Sequence, residues 1–597
     1  MGTMTASISK IAGGSFLIEE RAPDEVFTPE DFSDEHRQIV RTTEEFASNE
    51  ILPVLDKIEH KDWAVTRDLI RKASALGLTS VDIPEQYGGM EMDKVSSAII
   101  ADRIAICGSF SVTFGGHVGI GTLPIAWFGT EQQKQKYLPK LASGEWVGAY
   151  ALSEASSGSD ALNCRARATL SADGKHYLLS GEKMWITNAG FADVFTVFAK
   201  VDGEKFSAFI VERNFPGLAV GAEEHKMGIR GSSTCPLILN ECQVPVENLL
   251  GEVGKGHVIA FNILNVGRFK LGASCAGGAR YSLQHAISYA KQRKAFGKTI
   301  SEFGLVREKL ADIATGIYAL ESMVYRTVGM IDVALSQVDK SGGDAPSAIR
   351  KNVEEYAVEC SIIKVAGSEI LDSVVDEVVQ IYGGYGFVEE YHAERAYRDS
   401  RVNRIFEGTN EINRLIITGW LLKRAMNGQL PLLPAIQKLM EEVLAVSNLA
   451  ESFEGSLSAE RTLVANAKKA ALFAAGVAWQ KYLQALADQQ EIMGALADII
   501  IETYAMESCL LRALKIAERN GETAALAIAM TQVYIAGAME RIETATRKVI
   551  AAVAEGDTLR TYMAVLRRLF KYEPANTIAL RQQIAEKVLE AGKYVVS

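Results

Sequence analysis

The sequence predicts a mainly α-helical chain with a central antiparallel β domain. Two observations predict it: helical patterning on either side of residues 146–257, and two Asp-Gly hairpin signals inside that window. A third, a Gly and two Pro residues in MNGQLPLLP from Met426 to Pro434, sets off a last helical block. The expected units are 27–145 (helical), 146–257 (β), 258–426 (helical bundle) and 435–597 (helical).

In the first unit, Ser33 and Asp34 are placed to cap DEHRQIVRTTEEFASNEIL, and Pro53 interrupts that run. DIPEQYGGMEMD, from Asp82, packs Pro and paired Gly between polar residues and reads as a loop. In the second unit, Asp173-Gly174 joins CRARATLSA to KHYLLSG, and Asp202-Gly203 joins DVFTVFAKV to EKFSAFIVE. Both dipeptides favour the tight turns of hairpins, so an antiparallel sheet or small barrel is expected. In the third, Ile362, Ala366, Ile370, Val374 and Val378 recur every four positions, a core-facing helical stripe. The last block is alanine-rich and laced with charge.

A chain of 597 residues, 48% hydrophobic, can bury several cores. Its formal net charge of -11 gives no reason to expect a nucleic-acid partner. The seven cysteines are scattered, with no CxxC pair, which argues against a zinc site or a disulfide framework. No secretory signal is evident in MGTMTASISK, and Ala524 to Met539 falls short of a membrane span. The expected setting is cytoplasmic, soluble or peripherally membrane-associated.

Three segments depart from this background. YALSEASSGSDA, from Tyr150, puts small residues and hydroxyls where the β region begins, so a backbone can approach a flat or anionic ligand. Read alone it is also an ordinary serine-rich loop. GEKMWITNAG, from Gly181, puts Trp185 and Thr187 on one face of a strand, an aromatic surface beside a hydroxyl, or else plain core. QIYGGYGFVEEYHAERAYRDSRVNRIFEGTNEINRL, from Gln380, is no dinucleotide fingerprint, because its glycines follow a helix rather than a strand. Its Glu407, between Phe406 and Gly408, is either an exposed helix-end carboxylate or a base with a raised pKa.

ALSEASSGSDA, GEKMWITNAG, RKAFGKTISEFGLVREKLAD, QIYGGYGF and RIFEGTNEI follow one another across about 260 residues. In order and wording they resemble the acyl-CoA dehydrogenase family. ILNVGRFKLGA, from Ile263, and the extra helical block resemble its very-long-chain branch. The resemblance implies an α domain, β barrel and four-helix bundle plus a C-terminal helical domain. It implies FAD-dependent α,β-dehydrogenation of a long-chain fatty acyl-CoA to trans-2-enoyl-CoA in β-oxidation, with an electron-transferring flavoprotein as acceptor.

By the same resemblance Glu407 is the catalytic base. A second branch of the family carries its base at the position of Gly267, which has no side chain here. The flavin site maps onto Tyr150, Leu152, Ser153, Gly158, Ser159, Trp185, Ile186, Thr187, Thr409 and Glu411. Arg293, Phe296, Gln380 and Gly384 would hold a neighbour's FAD, which implies a homodimer or a dimer of dimers. Ser159, Asn265, Arg268, Phe406 and Gly408 would border the thioester. Ala155 stands where the family usually has Pro, which frees one backbone dihedral. An acyl-CoA oxidase using oxygen and a non-catalytic scaffold on the same fold remain open. So do the acyl chain length, the choice of dimer or tetramer, and the role of the last block, including a membrane contact through VLRRLFKY at Val565. His117 is read as a satisfied core residue or a lining residue of an acyl pocket.

Overall fold

The computed structural model describes residues 10–338, 345–444, 453–519, 521 and 523–596. Residues 1–9, which bear on the reading of the N-terminus, lie outside the described residues. The architecture is predominantly helical around one eight-stranded sheet, with a second sheet of only two short strands, Lys294–Ala295 and Lys298–Thr299.

The longer helices that precede the sheet are α1 (Asp34–Phe46), α2 (Trp63–Ala75), α3 (Lys94–Arg103), α4 (Gly108–Gly115) and α5 (Glu131–Ala142), with two short helical turns at Leu55–Glu59 and Leu123–Phe128. Ser33 caps α1 by accepting from the His36 N–H at 3.2 Å, and Asp93 caps α3 by accepting from the Ser96 N–H at 2.7 Å. Near Pro53 the first helix loosens into a π turn at Ala47–Ile51 and then a tight turn at Leu52–Val54, because proline supplies no N–H to continue the ladder. Almost every residue of α3 is buried, so it reads as a core helix with no polar face.

The strands are β1 (Gly148–Ala151), β2 (Arg167–Leu170), β3 (His176–Thr187), β4 (Val194–Val201), β5 (Lys205–Glu212), β6 (Leu218–Val220), β7 (Thr234–Pro245) and β8 (Leu249–Leu250). Both Asp-Gly dipeptides sit at hairpin turns, joining β2 to β3 and β4 to β5; the second ladder pairs Val194 with Glu212 through to Val201 with Lys205. The order is β6-β7-β3-β2-β4-β5-β8, with β1 beside β4. The sheet is mixed rather than purely antiparallel, since β1 and β2 each run parallel to β4. The β2–β3 hairpin lies between them in sequence, and the chain crosses over rather than turning back.

After the sheet come α6 (Gly256–Gln292), α7 (Gly304–Ser336), α8 (Ala357–Tyr382), α9 (His392–Ser400) and α10 (Asn410–Met426). On α8, Ile362, Ala366, Val374 and Val378 are buried as the stripe predicts, while Ile370 is only partly covered. α6 and α8 cross where two glycines meet: a Cβ on Gly367 would lie 3.2 Å from the Gly272 Cα. That close approach fixes the spacing of the helices that frame the site.

The last block contains α11 (Ser458–Tyr482), α12 (Gln490–Glu518), α13 (Ala524–Val553), α14 (Gly556–Leu569) and α15 (Thr577–Ala591). It does not keep a core to itself, for one continuous apolar cluster runs from Ile11 through the bundle to Val596. Buried ion pairs join it to the bundle, Arg326 to Glu507 at 2.6 Å and Arg512 to Glu321 at 3.2 Å. The N-terminal segment is drawn in too, with Glu30 on Arg512 at 2.8 Å and Asp31 on Lys515 at 2.6 Å. In VLRRLFKY, Val565, Leu566 and Leu569 turn inward, so the apolar face of α14 is spent on packing. Among the described residues no helix is long and apolar enough to cross a membrane.

Candidate active site

Glu407 sits on an irregular turn between α9 and α10. Its φ is 57°, in the left-handed region, and Gly408 follows at 80°. A non-glycine residue adopts that conformation only where its surroundings over-determine it. Those surroundings are a set of donors aimed at the backbone carbonyls of the turn. Asn413 Nδ2 donates to the Gly408 carbonyl at 2.8 Å and the Thr409 carbonyl at 3.0 Å. Lys364 Nζ, from α8, donates to the Gly408 carbonyl at 2.7 Å and to Asn410 Oδ1 at 2.7 Å. Arg268 Nε, from α6, donates to the Glu407 carbonyl at 3.3 Å, while its Nη1 donates to Asn265 Oδ1 at 2.9 Å. Thr409 caps α10 by accepting from the Ile412 N–H at 3.3 Å.

The turn thereby aims the Glu407 side chain at Gly267. A Cβ on Gly267 would lie 2.6 Å from Glu407 Oε2, and that oxygen is buried without a hydrogen-bond partner. Burial pushes the Glu407 carboxyl up to about 7, with the charges of Arg268 and Lys364 holding it from going higher. A carboxylate so placed is a base near neutrality with a free lone pair.

Glu407, Phe406 and Gly267 open onto a cavity that follows one face of α6 through Leu271 and Cys275. Thr187 lines its near end, across from the bundle. Beside Thr187, Trp185 is 54% exposed with φ 59°, and the β3–β7 register slips between Lys183 and Ile186. The simple alternation expected for GEKMWITNAG is therefore broken by a bulge, which turns the indole outward although Ile186 stays buried. Tyr150 and Leu152 are buried nearby on β1 and just after it, and the Tyr150 hydroxyl has no partner. An exposed indole, a strand bulge and an orphaned phenol suit a flat heteroaromatic ring with polar edges.

The serine-rich loop is held from below. Glu154 pairs with the fully buried Lys183 at 2.7 Å and accepts from the Arg165 N–H at 2.6 Å and the Ala166 N–H at 3.1 Å. Ser153 is half-buried, whereas Gly158, Ser159 and Glu411 are exposed. Arg293, Phe296, Gln380 and Gly384 do not join Glu407 in this chain. Arg293 and Gly384 line a separate surface recess with Tyr289, Tyr382 and Tyr385, and Phe296 beside it is 95% exposed with φ 52°. His117 is fully buried, accepts from the Gly148 N–H at 3.2 Å and stays out of the cavity, which its neighbours Gly116 and Val118 line.

Lys364, Asn410, Lys183 and Glu154 take part in the site without having been singled out in the sequence. Asn413, six positions after Glu407 on the following helix, carried a signal in its spacing. Lys364 carried none, because only the packing of α8 brings it to the turn.

Four family models match the chain: the acyl-CoA dehydrogenase N-terminal domain over residues 33–145, the middle domain over 149–242, and two C-terminal domains over 254–422 and 466–568. A "Probable acyl-CoA dehydrogenase" of Bacillus subtilis is 50% identical over 597 residues, covering 100% of both chains. The chain belongs to the acyl-CoA dehydrogenase family. The human mitochondrial very long-chain specific acyl-CoA dehydrogenase is 40% identical over 373 residues, 61% of this chain and 53% of that one. Among solved structures, an acyl-CoA dehydrogenase from Bacillus anthracis complexed with FAD superposes with a TM-score of 0.97 at 50% identity, covering 98% of this chain and 100% of that one. Butyryl-CoA dehydrogenase from Megasphaera elsdenii matches with a TM-score of 0.59 at 34% identity over 66% of this chain and 99% of its own. This acyl-CoA dehydrogenase family member is thus an oxidoreductase whose architecture extends past the shorter relative's length into the last helical block.

Proposed function

We propose that the chain dehydrogenates long-chain fatty acyl-CoA thioesters between Cα and Cβ, with FAD as cofactor and Glu407 as the base. The observation that carries this reading is the Glu407 carboxylate, unpartnered and facing the empty side of Gly267, at the head of an apolar cavity. FAD, when bound, supplies the hydride acceptor and a polarising contact to the thioester carbonyl. The chain's own groups do the rest.

Glu407 takes the α-proton in a site where few waters compete, and its pKa near neutrality keeps a fraction of it ionised and basic. Arg268, Asn413 and Lys364 hold the turn so that the carboxylate meets that carbon in a fixed direction. Thr187 and the outward-turned Trp185 offer the ring its edge and face, and the Ser153 region offers hydroxyls. Ser159, Asn265, Phe406 and Gly408 are assigned to the thioester side. The length of the cavity along α6 supports a long acyl chain.

A homodimer fits the second group of residues. Arg293, Phe296, Gln380 and Gly384 are exposed and removed from Glu407, as they would be if they served the cofactor of a second copy, and Phe296 and Phe387 are 95% and 86% exposed. An electron-transferring flavoprotein is the proposed acceptor. Anaerobic titration with hexadecanoyl-CoA tests the reading: the flavin should bleach and trans-2-hexadecenoyl-CoA should form. An unbleached flavin would sink it, and peroxide release on admitting air at the full turnover rate would reassign the chain as an oxidase.

A further inference from the structure

The cavity that starts at Glu407 changes character at its other end. Its lining on α6 recurs on one helical face from Gly267 to Tyr281. Those residues are 14 positions apart, which is about 21 Å at ~1.5 Å per residue. The middle of the passage is lined mostly by apolar or small groups such as Leu271, Cys275, Gly278, Val112 and Leu371, and Lys270, which also lines it, is held by Asp82 at 2.7 Å. At the far end stand Tyr281, His392, Arg395 and Asp399 instead.

Arg395 and Tyr281 are donors without acceptors. Among the described residues none accepts a hydrogen bond from either side chain, and none pairs with the Arg395 guanidinium, although Asp399 lines the same cavity. Asp399 is engaged elsewhere, accepting from the Ile229 N–H. Burial and the charge of Glu59 push its carboxyl up to about 7, against the opposing pull of the Ile229 N–H and the Arg398 and Arg395 charges, so near neutrality it is partly protonated and only partly offsets Arg395. His392 stacks on His285 with centroids 4.5 Å apart, and burial, helped by His285 and the Arg395 charge, pushes it down to about 3, so it stays neutral. The remaining charges at this end are satisfied: Arg398 is bound by Glu394, and Glu59 accepts from the Ser109 hydroxyl. Arg395 and Tyr281 are both part-exposed, so water meets their donors until a ligand group takes its place, and a group that displaces that water must supply an acceptor in return. A terminal methyl group supplies none.

We infer that the far end of the cavity is a subsite for an ω-carboxylate, so that the substrates include the mono-CoA thioesters of long dicarboxylic acids. The guanidinium of Arg395 offers the carboxylate two parallel N–H donors and the Tyr281 hydroxyl a third, the geometry in which charge-assisted bonds are strongest. With C–C bonds of ~1.5 Å an extended chain advances about 1.25 Å per carbon, so 21 Å from the α-carbon at Gly267 is about 17 carbons further on, and because the Arg395 and Tyr281 side chains reach back into the passage the matching diacid has about 16 to 18 carbons in all. A shorter diacid would leave its carboxylate stranded in the apolar middle. The assignment rests on the dehydrogenase reading above, and the experiment separates the two.

The holoenzyme is assayed with hexadecanoyl-CoA and with the mono-CoA thioester of hexadecanedioic acid, and the ratio of their kcat/KM values is compared across variants. The wild type should turn over the diacid thioester at least as efficiently as the fatty acyl one. Arg395→Met should lower the diacid-to-fatty-acyl ratio by about ten- to a hundredfold, mainly through KM, and Tyr281→Phe by a few-fold. A wild type that processes hexadecanoyl-CoA but rejects the diacid thioester overturns the subsite alone, as does an unchanged ratio in flavin-loaded Arg395→Met. A wild type that processes neither overturns the dehydrogenase reading beneath it. Should Arg395→Met fail to fold, the wild-type comparison and Tyr281→Phe decide.

Discussion

The Glu407 carboxylate occupies the space that a side chain on Gly267 would fill, with Oε2 only 2.6 Å from where a Cβ would stand. Carboxylate and glycine are 140 positions apart, on different elements, and the carboxylate takes the room that the glycine leaves. A substituent at 267 would push the carboxylate off its line, while a shorter residue at 407 would leave a hole beside α6.

Gly267→Ala should therefore cost activity out of proportion to stability. Moving the base by about 1 Å is expected to lower kcat by about a hundredfold. Steady-state kinetics set beside thermal unfolding of the same preparation checks this, and a wild-type kcat would refute the steric argument.

Glu407→Gln should bind FAD and lose activity by about a thousandfold or more, within the usual range for removing a general base. Its stability should also change with pH in a defined direction. The folded carboxyl titrates near 7, above its ordinary 4.5, so the native state holds more protons than the unfolded chain between those values. That contribution is full at low pH and is lost as pH rises towards 7. Relative to wild type, the glutamine variant should gain melting temperature at pH 8 and show no gain at pH 4, as scanning calorimetry at the two pH values would read.

Lys364→Met should move the pH profile. The charges facing Glu407 are Arg268 from α6 and Lys364 from α8, with the neutral Tyr150 phenol across from them. In the wild type kcat/KM should rise with pH through about 7 as Glu407 ionises. Without the Lys364 charge the rise should come at higher pH, and the turn, having lost a donor to the Gly408 carbonyl, should also lower kcat at the plateau. A lower plateau with an unmoved midpoint would mean that Lys364 acts only as a strut.

Arg512→Met should destabilise the whole chain rather than the last block alone. The guanidinium is buried between Glu321 of α7 and Glu30 of the N-terminal segment, and Tyr594 donates to the same Glu321 at 2.9 Å. Stripping one partner from a buried pair costs about 3–5 kcal/mol. A single cooperative transition at lower temperature is expected, and early melting of the C-terminal helices with the bundle intact would contradict the shared core. For the same reason a chain cut after Asn427 would expose a large apolar surface, so its behaviour with vesicles would report on that surface.

Much of this molecule was legible before any coordinates. Asp-Gly dipeptides place hairpins because few residues tolerate the turn, and Ser33 caps α1 because its hydroxyl lies within reach of the His36 N–H. The parallel pairing of β1 and β2 with β4 was not legible, since alternation in a strand reports its faces but not its neighbours. The left-handed backbone of Trp185, Phe296 and Glu407 was likewise hidden, because residue type argues against that conformation and only the surrounding contacts impose it.

The amino-acid sequence by itself determined the kinds of elements and their order, because these depend on local propensity, and its motifs carried the family resemblance that singled out Glu407 and Gly267. Tertiary structure alone decided that Lys364 reaches the Glu407 turn, that the last helices share the core of the bundle, and that Arg395 of α9 and Tyr281 of α6 line one cavity. Such relations depend on where helices cross, and the crossing of α6 and α8 at Gly272 and Gly367 is set by the fit of whole surfaces, which no short stretch of chain encodes.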